Sequence, residues 1–523
     1  MQIFQKFEEK LEKLYSAKII ALLSVIVMGL LLRIFFTPWD LLTNSPDAFV
    51  FMMEGISYSN GDFEYFNTRF LWPVFLSLFF SLSETNDTMS YITIMRIVSI
   101  SISVATIPIL YLISKSFLDE KYAILATIFF VIEPNIVENS IFAITEPFFI
   151  FLGLISLYFI IQKEEKFIFL SFLFAGLAFD TRLNGIVLFF LAILVCGMKI
   201  RPKQKLVFYL STGIIIFLIT SIPHIMLPLE EGDLPFITNI ENVVNVVSEG
   251  KQFRWNESIS NPTPINIIKN ALTNEFLHVF RISVPYLAIF VPFGIIMALR
   301  NFDLQKKVLF AAIIISLIIA IPQYTMSTEY RNLFFITALF SILAAIGVQS
   351  ITNNIKLKNI FLILLVAGLL LVSYNFLRER YEIDYELVSE KEIFGKYVVN
   401  NYQGVMMGDM KLDTMLQMKK VKLDLRPDGG GGVYNDKINF FSPALKFDTH
   451  EKLMNYANQK KISYLIMDNI SDRHFPAFQE IFYNENNFPY LEKVFDSQQE
   501  GYKKLMVKIF YINLNEFEKF LKN

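Results

Sequence analysis

The chain has 523 residues, 54% hydrophobic, 15% aromatic and only 18% charged, with a net charge of -2. A soluble domain carries about 25% charged residues, so the composition excludes an ordinary soluble protein. The near-neutral balance gives no support to broad binding of nucleic acid or anionic surfaces, and the single cysteine, Cys196, excludes a disulfide within the chain.

Residues 1–17 carry Lys6, Glu8, Glu9, Lys10, Glu12 and Lys13 and read as a short cytoplasmic helix. The apolar run at about 18–36 is too long for a signal-peptide core and has no small-residue cleavage site, so it is expected to stay as an anchor. Further spans are predicted at 91–114, 122–137, 147–162, 167–180, 183–198, 206–227, 279–299, 308–323, 332–349 and 358–377. Together they make about eleven transmembrane helices, since runs of roughly 20 apolar residues cross a ~30 Å hydrocarbon core.

Lysine and arginine favour cytoplasmic loops. With the N-terminus inside, the inner loops hold Lys115 and Lys121, Lys163 and Lys166, Lys199 to Lys205, Lys306 and Lys307, and Lys356 and Lys358. Every alternate loop is then basic, which supports both the span count and the orientation. Residues 70–82 are apolar but short. Counted as a span they would place Lys163, Lys199 and Lys306 outside. They are expected to form a juxtamembrane helix on the outer face, with Trp72 at the interface.

The outer side is then expected to hold the loop 37–90, the segment 138–146, the loop 228–278 and everything after about 380. Residues 1–379 form the predicted membrane domain. Residues 380–523 form a predicted soluble extracytoplasmic α/β domain. Its strand-like runs are Val405-Met406-Met407, Tyr464 to Met467 and Met506 to Tyr511, with a helical pattern over 450–461. Gly429–Gly432 has no clear strand before it or helix after it, so it reads as a flexible turn and not a phosphate cradle.

Polar groups gather at the predicted outer face. Asp47 lies in Ser45-Pro46-Asp47-Ala48, in a loop that also holds Glu54, Asp62, Glu64 and Arg69. Glu133, Glu138 and Glu146 cluster about one turn, and Glu146 opens the next apolar helix. Arg96 lies near an outer helix end. Arg182 lies in Asp180-Thr181-Arg182-Leu183-Asn184-Gly185, and Arg331 in Tyr330-Arg331-Asn332. Charges at the edge of hydrocarbon are costly and usually functional. Guanidinium forks suit phosphate oxygens, although an ion pair such as Arg182 with Asp180 is the plainer reading. Glu138 and His224 could line an acceptor site or hold a divalent cation such as Mg or Mn. No ligand spacing supports the metal, and an ordinary hydrogen-bonded histidine is the plainer reading.

The ordered set resembles the GT-C membrane glycosyltransferases. It consists of an early loop acid at Asp47, Thr68-Arg69-Phe70-Leu71-Trp72-Pro73, Met95-Arg96-Ile97, Glu133-Pro134, Glu146, Thr181-Arg182-Leu183-Asn184-Gly185 and Tyr330-Arg331-Asn332. It is most similar to the branch of protein O-mannosyltransferases and lipid A aminoarabinose transferases, over about residues 1–380. The resemblance implies a polyprenyl-phosphate sugar donor (dolichyl or undecaprenyl) and a lipid, glycan or protein acceptor with a hydroxyl. It implies catalytic roles for Asp47 and Glu146. The phosphate would meet Arg69, Arg96, Arg182 and Arg331. Two departures stand out. Many relatives have a second acid where this chain has Ala48, and the tail has no tryptophan for the Trp-Trp-Asp signature of oligosaccharyltransferases. The rival readings are a transporter, which would place its charges near the bilayer midplane, and a non-catalytic scaffold or receptor with an outer domain.

Overall fold

Backbone inside hydrocarbon must satisfy its own N–H and C=O groups, so the predicted spans fold as helices. The computed structural model describes residues 2–41, 45–61, 70–83, 88–223, 263–282, 287–300, 302–326, 330–353, 355–380, 383–408, 414, 417–418, 422–425, 431–441, 449–469 and 476–520. Arg69 and His224 lie outside the described residues.

The helices are α1 (Gln2–Phe36), α2 (Pro46–Ser59), α3 (Leu71–Phe80), α4 (Thr88–Ser114), α5 (Glu120–Val131), α6 (Pro134–Phe142), α7 (Glu146–Ile161) and α8 (Phe167–Thr181). Then come α9 (Ile186–Lys199), α10 (Lys203–Thr220), α11 (Pro264–Arg281), α12 (Leu287–Arg300), α13 (Leu304–Met326), α14 (Phe334–Thr352) and α15 (Lys358–Arg380). Among the described residues, six helices are long and apolar enough to cross a membrane, or seven if the bent pair α5–α6 counts as one. The apolar helices α7, α8, α9 and α12 have only 14–16 residues.

Two predicted spans take another form. The run 122–137 breaks into α5 and α6, bent by 54°. Pro134 has no N–H to donate and disfavours helical backbone at Glu133, which is extended at φ -66 and ψ 120. The Glu133 carboxylate then caps α6, accepting from the Ile136 N–H at 2.8 Å. The run 279–299 is shared between the end of α11, which reaches Arg281, and α12, which is described from Leu287. Ahead of it α11 is a separate helix, begun by the Thr263 cap and Pro264, where a loop was expected.

Carbonyls freed by the α5–α6 break still need donors. Arg33 of α1 is fully buried. Its Nη1 reaches Val131 O at 3.5 Å and Gly29 O at 2.9 Å, and its Nε reaches Ser103 Oγ at 3.0 Å. Ser373 Oγ of α15 donates to Ile132 O. The break is thus braced from two other helices.

By contact density the chain divides into two compact units. One holds Met1–Trp39, Gly55–Thr85 and Ser90–Tyr381, and the other Asp40–Glu54, Asn86–Met89 and Glu382–Asn523. Residues 40–54, with Asp47, count with the second unit, whereas the sequence reading put the whole of 37–90 with the membrane part.

The second unit is built on α16 (Tyr385–Asn401), α17 (His450–Gln459), α18 (Pro476–Tyr483), α19 (Leu514–Phe520) and strands β1 (Gly404–Gly408), β2 (Lys422–Leu425), β3 (Gly431–Tyr434), β4 (Ile438–Phe441), β5 (Tyr464–Asp468), β6 (Leu491–Asp496) and β7 (Val507–Ile512). They form one sheet in the order β2-β3-β4-β1-β5-β7-β6, parallel across β4-β1-β5 and antiparallel elsewhere. Met407, Leu453, Leu465, Met467 and Phe510 sit in its core. Gly431 and Gly432, expected in a turn, instead open β3 and pair with Leu425 and Asp424.

In the first unit α12 and α14 cross with their backbones touching. A Cβ on Gly294 would lie 1.8 Å from Leu343 O, and one on Gly347 2.7 Å from Phe290 O. Small residues permit this approach between apolar helices. Gly294→Ala should therefore force the pair apart and destabilise the unit by about 1–3 kcal/mol. Thermal unfolding in detergent measures it, and an unchanged midpoint would contradict the packing.

Candidate functional site

Three separated stretches of chain converge on Glu146. The first is the turn into α7. Ala143 ends α6 in the left-handed conformation, at φ 58, which turns the chain so that Glu146 opens α7. Trp72 of α3 fastens that turn, since its Nε1 donates to Ala143 O at 3.3 Å. Trp72 was expected at a membrane interface. It is instead fully buried, packed on Phe148 and Phe75, because its ring fills the space beside this turn and its N–H has a partner there.

The second stretch is the end of α8. Arg182 leaves the helix in extended backbone and is followed by a short 3-10 turn, Leu183–Gly185. Gly185 lies so close to α8 that a Cβ there would sit 2.3 Å from the Phe179 N. Only glycine fits this return, and the return aims Arg182 and Asn184 back across the bundle. The third stretch is the 3-10 turn Tyr330–Leu333.

Arg182 Nη1 donates to Glu146 Oε1 and, at 3.1 Å, to Thr145 Oγ1. Its Nη2 donates to Asn332 Oδ1 at 3.0 Å. Asn184 Nδ2 donates to Asn332 O at 3.0 Å, and Gln323 Nε2 donates to Asn184 Oδ1. Arg331 Nε is 3.6 Å from the same Glu146 Oε1. Two guanidinium groups therefore share one carboxylate. Glu146 is 1% exposed and Arg182 7%, but Arg331 is 20% exposed. Glu146 and Arg182 are inner members of the cluster, and Arg331 is the most exposed of the three. Glu146 also stands in the first turn of α7, where the helix dipole favours a negative charge.

The other described candidates have settings of their own. Arg96 is buried in α4 and its Nη1 donates to Pro38 O at 2.7 Å, so its guanidinium braces the chain just after α1. Asp47 stands in the first turn of α2 and is partly exposed. Glu138 pairs with Arg380 Nη1 at 2.8 Å, and the same nitrogen donates to Asn135 Oδ1 at 2.8 Å. Asn135 in turn donates to Glu133 at 2.8 Å. Arg380 was not singled out in the sequence, and neither was Arg33. Arg33 had a signal, as a charge inside the apolar run Leu31-Leu32-Arg33-Ile34-Phe35.

The described residues contain no group of three or more His, Cys, Asp and Glu side chains able to hold a metal ion. Glu138, the described half of the expected pair, is committed to a guanidinium that a cation would have to displace. Glu138 is therefore held as an ion-pair partner of Arg380.

A family model described as dolichyl-phosphate-mannose-protein mannosyltransferase matches residues 70–226, which include Trp72, Glu146 and Arg182. No curated protein matches the chain. Among solved structures the chain is similar to ArnT from Cupriavidus metallidurans bound to undecaprenyl phosphate, with a TM-score of 0.53 at 9% identity over 94% of this chain and 97% of that one. It is similar as well to the Archaeoglobus fulgidus oligosaccharyltransferase in complex with Zn and sulfate, with a TM-score of 0.56 at 10% identity over 86% of this chain and 68% of that one. The archaeal oligosaccharyltransferase AglB from Archaeoglobus fulgidus in complex with an inhibitory peptide and a dolichol-phosphate gives a TM-score of 0.50 at 11% identity, over 86% of this chain and 70% of that one. The chain thus has the GT-C fold, a multi-pass helical part followed by a sheet-containing domain.

If Glu146 and Arg182 hold each other in the bundle, removing either leaves a buried charge without its partner. Glu146→Gln and Arg182→Gln should each cost about 3–5 kcal/mol. The double variant should cost clearly less than the sum. Chemical unfolding of the four proteins in detergent measures this, and strict additivity would mean the two side chains do not act as a pair.

Proposed function

We propose that this chain is a membrane glycosyltransferase that moves a sugar from a polyprenyl phosphate to a hydroxyl acceptor. The observation that carries the reading is the meeting of Arg182 and Arg331 on Glu146, within a fold shared with proteins solved with undecaprenyl phosphate and dolichol-phosphate. The match to the mannosyltransferase family model over 70–226 supports the same class. The N-terminus is cytoplasmic on this reading and the tail lies outside, as the lysine asymmetry implies.

A phosphate joined to a sugar and a lipid is already ionised near neutral pH. Its departure needs stabilisation of negative charge more than protonation. Guanidinium groups aimed where that charge develops supply it. Arg331, the more exposed of the pair, takes the phosphate, and Arg182 backs it. Glu146 fixes the plane of the Arg182 fork by accepting from it and holds Arg331 beside it as an ion pair. A lysine in either place would keep the charge and lose the fork.

The acceptor hydroxyl attacks the anomeric carbon. The bond from that carbon to the phosphate oxygen breaks, and the lipid phosphate leaves with its electron pair. The hydroxyl proton passes to a carboxylate, for which Asp47 is the residue the resemblance nominates. Direct attack inverts the anomeric centre. The exposed apolar faces of the spans hold the polyprenyl chain from the side. A transporter would place its charges at the midplane, and nothing in the described cluster favours it.

Asp47→Asn keeps the size of the side chain and removes its ability to accept a proton. Turnover of a polyprenyl-phosphate sugar by purified protein should fall about 10²–10⁴-fold, with folding and donor binding retained. Wild-type turnover in that variant at saturating donor and acceptor would remove Asp47 as the base.

A further inference from the structure

Glu275 plays no part in the chemistry above. It lies on the face of α11 that holds Ile267 and Ala271, while Ile265, Leu272 and Phe276 point outward. It is 6% exposed, and its Oε1 has no hydrogen-bond partner among the described residues. A buried carboxylate oxygen left unmet is costly, and native chains keep such groups where a ligand or a proton will meet them. Burial also lifts this carboxyl to about 7.

The neighbouring groups are of matching chemistry. One turn along α11, His278 Nδ1 is 3.0 Å from Tyr324 Oη, and its ring centre is 6.0 Å from that of Tyr330. Arg281 sits 4.4 Å over the Tyr330 ring. Tyr330 is next in sequence to Arg331, whose Nε is 3.6 Å from Glu146. Adjacent Cα atoms are about 3.8 Å apart. A carboxylate, an imidazole and two phenols beside flat rings are what a pyranose needs. The polar groups meet its hydroxyls and the rings pack on its C–H face. In a glycosyl phosphate the ring hangs from the phosphate by one oxygen, so a pocket for the ring has to adjoin the group that holds the phosphate.

We infer that Glu275, with His278, Tyr324 and Tyr330, forms a subsite that reads the hydroxyls of a hexose whose phosphate is held at Arg331. This rests on the glycosyltransferase reading and names its sugar pocket. Glu275 accepts from a hydroxyl of the bound ring, and that contact is absent for a lipid phosphate that carries no sugar.

The test compares two probes on the full chain in detergent, dolichyl-phosphate mannose and bare dolichyl phosphate. The wild type should bind the mannosyl lipid about tenfold more tightly than the bare one, the worth of one or two good hydrogen bonds. Glu275→Gln should bring that ratio close to one and leave the affinity for the bare lipid unchanged. Tyr324→Phe, which removes one hydroxyl from the wall, should lower the ratio in the same direction and serves if Glu275→Gln does not fold. A wild-type ratio of one, or a ratio that the folded variants preserve, overturns the subsite. Failure of the wild type to bind either lipid overturns the glycosyltransferase reading itself, which is a different result.

Discussion

A carboxylate that is 1% exposed, at the mouth of an apolar helix, is tolerable only if something cationic meets it. For Glu146 that is Arg182 first and Arg331 second, and much of the local architecture serves the meeting. Glu146 arrives where it does because Ala143 turns left-handed and Trp72 ties that turn to α3. Arg182 arrives because Gly185 lets the chain return against α8. Asn332 receives Arg182 and Asn184 together, so the third stretch is locked to the second. Each of these contacts is modest alone. Together they fix the Arg182 guanidinium and bring that of Arg331 beside the same carboxylate.

A second constraint operates one element earlier. Breaking a helix inside an apolar bundle frees carbonyls, and hydrocarbon offers them nothing. Arg33 and Ser373 answer at Val131 and Ile132, and Arg380 draws Asn135 and Glu138 together just beyond. The broken pair α5–α6 leads directly into the turn that presents Glu146. The polar side chains around the break therefore hold the approach to the site.

How much of this could be read from the sequence follows from the range of each signal. Apolar runs, lysine spacing and alternating strands are local, so the helices and the strands around Val405, Leu465 and Ile509 were legible. Glu146, Arg182 and Arg331 were legible as charges where hydrocarbon makes charge costly. Their actual pairing was not, because Arg182 has Asp180 two residues away, whereas Glu146 is 36 away. Arg380 sits among Arg378 and Glu379 at the end of a span and looks like an ordinary flank. Trp72 looks like an interface anchor until its partner, 71 residues on, is known. The sheet order, with β1 between β4 and β5, depends on pairings far apart in the chain, and no local pattern carries it.

The proposed chemistry depends on where a lipid phosphate binds. The most direct measurement is a density map of the full chain with bound polyprenyl phosphate. The phosphate should lie within hydrogen-bond reach of the Arg331 guanidinium, with the Glu146–Arg182 pair intact behind it. A phosphate bound away from both arginines would contradict the account.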